Sequence, residues 1–124
     1  MSSYALNFNH EAGYAHLLVS GQDTSEDRKS RMLALFGHEE WNTGYSVIIE
    51  FEHQQTNLTS ADAFEATNLL SLLKDQVDVA NVVIVNQHDN TAHVGHTLAA
   101  AHEMKDLPTV HRVADLSSAI KLVS

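Results

Sequence analysis

Val47, Ile48 and Ile49 form one unbroken β-branched run, and Val82, Val83, Ile84 and Val85 form another. A strand with one wet face alternates apolar and polar side chains, so a strand with no alternation must be covered on both faces. β-branching also favours extended backbone over helix. The two runs therefore predict neighbouring interior strands of a parallel sheet beneath helical layers.

Each run is followed by a segment of helical period. Over residues 59–77, Ala63, Ala66, Leu70, Leu73 and Val77 recur at spacings of three and four, behind a capping-box-like Thr59 and Asp62. Over residues 91–105, Val94, Leu98 and Ala101 face inward, with Asp89, Asn90 or Thr91 as the cap. Leu107 and Pro108 end that helix.

The remaining pieces complete an alternating order. Residues 4–9 alternate, residues 15–19 are largely apolar, and a short turn containing Gly13 joins them as a hairpin. Thr24 and Asp27 open a first helix whose apolar positions are Met32, Leu33, Leu35 and Phe36, with Gly37 beyond its end. The connector 38–44 carries Trp41, a large apolar anchor for a core edge. Residues 109–113 are a last short strand, and Asp115 caps a terminal helix with Ala119, Leu122 and Val123 apolar. The order is ββαβαβαβα, an α/β mixed sheet with helices packed against it, in a single domain over residues 1–124.

Charge and cysteine content narrow the function. The 124 residues carry a net charge of −9 and no cysteine, which excludes disulfides and thiolate chemistry. An acidic surface repels phosphate backbones, so nucleic acid is not an expected partner. The basic residues Arg28, Lys29 and Arg31 stand beside Glu26 and Asp27, the pattern of a solvated helix face with internal pairing. No apolar run approaches the ~20 residues that span a bilayer. The first residues, Met1, Ser2, Ser3 and Tyr4, do not resemble a secretory signal, so a cytoplasmic location is expected. Nine histidines would carry the charge towards zero on acidification, which predicts reduced solubility between about pH 5 and 6.

Candidate chemistry is sparse. His88, His93 and His96 lie close together, and His93 and His96 stand about one helical turn apart. They fall away from the inward Val94, Leu98 and Ala101 stripe, on a solvated face without a fixed third ligand, so no metal site is assigned. No serine sits in a Gly-x-Ser-x-Gly elbow, and neither a Gly-x-Gly-x-x-Gly loop nor a Walker lysine is present. Glu50 and Glu52 share one strand face and are expected where the strand emerges into solvent, while His53 points the other way. No set of residues converges on a catalytic role, so neither an enzyme nor a cofactor is expected.

Several strings, taken in order, carry a resemblance. They are Val19-Ser20-Gly21 before Thr24-Ser25-Glu26-Asp27, the strand 47–51 running into residues 56–62, the strand 82–85 with Gly95 in the next helix, and Asp115-Leu116-Ser117-Ser118-Ala119-Ile120. The chain resembles the SpoIIAA-like proteins of the STAS superfamily, the fold of bacterial anti-sigma-factor antagonists and of the cytosolic domains of sulfate transporters. In those antagonists an Asp-Ser-Ser-Gly motif opens the helix after the central strand, and its second serine is phosphorylated by a partner kinase. Here those positions hold Leu58, Thr59, Ser60 and Ala61. The resemblance makes Ser60 a candidate phospho-acceptor, which a helix N-terminus would favour. With the Asp and Gly replaced, the competing role for Thr59 or Ser60 is a plain helix cap.

The functional expectation is a non-enzymatic regulatory or protein-interaction module, acting through a protein partner or as a homodimer. A small apolar ligand or lipid held between the sheet and a helix is the alternative. Trp41 and His53 are the candidate ligand or partner contacts.

Overall fold

A computed structural model of the chain describes residues 2–21, 25–51, 68, 70–72, 77–85 and 110–123. Through them run β1 (Ser2–Asn9), β2 (Tyr14–Gly21), α1 (Ser25–Phe36), β3 (Ser46–Phe51), β4 (Val82–Val85), β5 (Val110–Val113) and α2 (Leu116–Val123). Leu70, Ser71, Leu72 and Val77 are helical and belong to the segment expected as a helix over residues 59–77. The remainder of that segment and the helix expected over residues 91–105 lie outside the described residues.

The five strands form one sheet in the order β1-β2-β3-β4-β5. β1 runs antiparallel to β2, and each later neighbour is parallel. The two apolar runs lie side by side, with Val47 opposite Val82, Ile48 opposite Val83 and Ile49 opposite Ile84. Because β3 has β2 and β4 as neighbours, and β4 has β3 and β5, neither run meets a wet rim.

Successive side chains go to opposite faces and build two separate cores. Ala15, Val47, Val82 and Val110 form a row on the first face, packed with Leu35 of α1 and with Leu70 and Val77. Their neighbours Ile48 and Val83, with Tyr14 and Val85, form the second core against Ala119 of α2. Ile48 and Val83 are wholly buried, each contributing roughly 1.5–3 kcal/mol of transfer free energy.

In α1, Arg31 and Leu35 stand one turn apart and are both buried, while Leu33, on the opposite side of the helix, is 55% exposed. The expected solvated basic face therefore breaks at Arg31, although Lys29 does face solvent. The long aliphatic stem of an arginine lets it share an apolar stripe with Leu35.

The cap of α2 forms as anticipated, with the Ser118 amide donating to Asp115 Oδ1 at 2.8 Å. Hydrogen bonds from the backbone and then the side chain of Ser118 hold the Asp115 carboxyl below its usual range, and Lys121 adds a smaller attraction. Leu122, expected on the apolar side, is 38% exposed. The covering stripe is instead Leu116, Ala119, Ile120 and Val123.

Loops at the amino ends of β2, β3 and β4 are stitched into one surface by their backbones. Ser46 donates to the Gly13 carbonyl at 3.0 Å, Gly44 to Asp78 at 2.7 Å, and Ala80 to Tyr45 at 2.9 Å. Gly13, at φ +77°, supplies the left-handed residue the hairpin needs. Asp78, at φ +46°, takes the same left-handed conformation directly after helical Val77.

Candidate functional site

That stitched surface carries a shelf of aromatic and imidazole side chains. Phe8 comes from the end of β1, His10 from the hairpin turn, and His38, Glu40, Trp41, Asn42 and Tyr45 from the connector between α1 and β3. Phe8 stacks on His10 with ring centroids 5.9 Å apart and planes 4° from parallel, and lies 4.9 Å from the His38 ring.

The polar groups form a directed chain. His10 Nε2 is 3.3 Å from Glu40 Oε1, and His10 Nδ1 is 2.6 Å from the Tyr45 hydroxyl. A carboxylate only accepts, so in the neutral imidazole the Nε2 proton faces Glu40 and Nδ1 is left to accept the Tyr45 O–H. Asn42 Nδ2 in turn donates to the Tyr45 oxygen at 3.2 Å. On the other side of Glu40, its backbone amide donates to His38 Nδ1 at 3.1 Å. The run from Asn42 through Tyr45 and His10 to Glu40 is thus one continuous chain of donor–acceptor contacts.

Trp41 anchors the shelf. It is half-buried against the first core, its Nε1 donates to the Val77 carbonyl at 3.1 Å, and its ring meets Phe36 and Tyr45 edge-on at 5.0 and 5.8 Å. One orphan carbonyl at the end of the helical segment is thereby satisfied, and the connector is fixed to the core.

The shelf is open. The side chains of His10 and Glu40 are 47% and 52% exposed, so its acid–base groups stand in water rather than around an enclosed reactant. Among the described residues no three His, Asp or Glu side chains are placed to hold a metal ion.

A second pair lies on the face that α2 covers. His16 Nε2 of β2 and Glu50 Oε1 of β3 are 2.9 Å apart, at 17% and 16% side-chain exposure. Glu50 was expected where the strand emerges into solvent; it is instead largely covered, because the diagonal from β2 supplies an imidazole to receive it.

Of the residues singled out from the sequence, Trp41 lies in this shelf, while His53, Thr59, Ser60, His88, His93 and His96 lie outside the described residues. Sequence reasoning missed His10, His38, Glu40 and Tyr45 because their partners are remote. The His10 contacts to Tyr45 and Glu40 span 35 and 30 residues, and the His16–Glu50 contact spans 34. Only the hairpin turn, which sets His10 beside the amino end of β3, hinted at the meeting.

No family model matches the chain, and no curated protein matches it. Among solved structures, the chain is similar to an uncharacterised protein of the DUF3478 family with a SpoIIAA-like fold, from Shewanella loihica PV-4, determined at 2.25 Å. The two are 15% identical and align with a TM-score of 0.62 over 99% of this chain and 94% of the other. With a strand order, two-sided core and whole-length likeness that agree, this chain has a SpoIIAA-like fold.

Proposed function

We propose that the chain is a non-enzymatic interaction module that works by docking another protein surface. The observation that carries this reading is the shelf: its imidazoles, phenol and carboxylate are paired at an open surface, beside the half-buried rings of Phe8, Trp41 and Tyr45. Side chains already paired with one another need less ordering on contact, which lowers the cost of association. Tyrosine and tryptophan suit it because they carry large apolar area with a polar tip. His10, His38, Tyr45 and the rim of Trp41 are the contact residues in this reading. The fold supports the proposal only as a scaffold, since its relative in structure is itself uncharacterised.

Native mass spectrometry of freshly purified protein tests it. A stoichiometric protein complex, with itself or another chain, is the expected result. A monomer retaining a small apolar molecule would replace the module with a carrier.

A further inference from the structure

Among the described residues, the two edges of the sheet are built differently. β5 has four residues and carries His111 and Arg112, the short and charged form that resists further pairing. β1 has eight residues, Ser-Ser-Tyr-Ala-Leu-Asn-Phe-Asn, without a charge or a proline. Among the described residues it pairs only with β2. Tyr4 is 46% exposed, and Ala5, Asn7 and Asn9 are exposed as well.

We infer that β1 is a pairing surface for a second copy of this chain, joined edge to edge as antiparallel strands about a two-fold axis. This rests on the interaction-module reading and adds to the shelf a second contact surface, the outer side of β1. An antiparallel strand pair is self-complementary, which is the requirement of a closed two-fold dimer.

The sequence of β1 selects a register. Residues directly opposite must share a face of the continuous sheet, so an axis normal to the sheet must pass through a residue pair of one kind. Centred on Leu6, it sets Tyr4 opposite Phe8, Leu6 opposite Leu6 and Ala5 opposite Asn7. The aromatic and leucine residues then form one apolar ladder on the face that α1 covers, because Leu6 and Phe8 already pack against the first core.

Charge limits where two copies can meet. Each copy carries −9, so two copies repel over most of their surfaces, while β1 brings no like charges opposite. An uncharged strand offers a foreign strand no ion-pair code, and its specificity is the match of Tyr4 to Phe8 in its own image.

Sedimentation equilibrium of the full chain is the test, and the expected mass is twice 13.7 kDa. Ala5→Lys with Asn7→Lys puts lysine opposite lysine twice and should weaken the dimer at least tenfold. Ala5→Lys with Asn7→Glu puts lysine opposite glutamate twice and should keep it. Both positions are exposed, and circular dichroism verifies that the variants fold. The chain lacks cysteine, so Leu6→Cys should give an intermolecular disulfide on oxidation. A monomeric wild type at about 100 μM, equal masses for the two charge variants, or no Leu6→Cys cross-link would each overturn β1 pairing. A monomer that still co-purifies with another protein would overturn it while leaving the module reading in place.

Discussion

The two faces of the sheet are made from the same strands yet are closed differently. The first face is covered by α1 and the helical residues Leu70 and Val77, with Trp41 sealing its end. The second receives eight-residue α2, whose packing partners include Ile48, Val83, Val85 and Tyr14. On this second face β2 and β3 place His16 and Glu50, an ionisable pair, beside the apolar core. The contrast shows that an unbroken apolar run guarantees two covers without specifying equal ones. On this second face the sheet also admits largely covered polar side chains that satisfy each other.

The largest test of this contrast is in the second core. Ile48→Ala should cost about 2–5 kcal/mol in urea unfolding, because removing a wholly buried side chain leaves a cavity in the core that packs against α2. A loss below about 1 kcal/mol would mean that α2 is not a tight cover.

A smaller effect is expected at the ion pair. A double-mutant cycle with His16→Ala and Glu50→Gln should give a coupling of about 1 kcal/mol, between the values for exposed and fully buried pairs. No coupling at any pH between 5 and 8 would show that proximity alone, not interaction, joins them.

The smallest expected effect is at the cap of α2. The Asp115 carboxyl is held below its ordinary range, so its contribution is present above the unfolded value and is lost as pH falls through the folded one. Asp115→Asn keeps a capping side chain, so stability at neutral pH should change little while the acid slope becomes shallower. Identical acid unfolding curves for the two proteins would remove the carboxylate's part in securing this cover.

Much of the fold was legible from residue order. The runs at 47–49 and 82–85, the hairpin around Gly13 and the cap at Asp115 each carry a local signal that needs no distant partner. The orientation of α1 was less so. Arg31 and Leu33 have the reverse of the burial their polarity suggests, since the stripe is set by which helix face meets the sheet. The shelf was not legible except at Trp41, because its hydrogen bonds join the hairpin turn to a connector some thirty residues away.

Local chemistry therefore determined which segments of this protein extend, coil and stop, because β-branching, periodicity and capping act within a few residues. Tertiary structure alone decided which helix faces turned inward, that Glu50 would find His16, and that His10 would stand between Tyr45 and Glu40. Those pairings depend on strand order and register, which bring remote residues within about 3 Å through the geometry of the whole sheet.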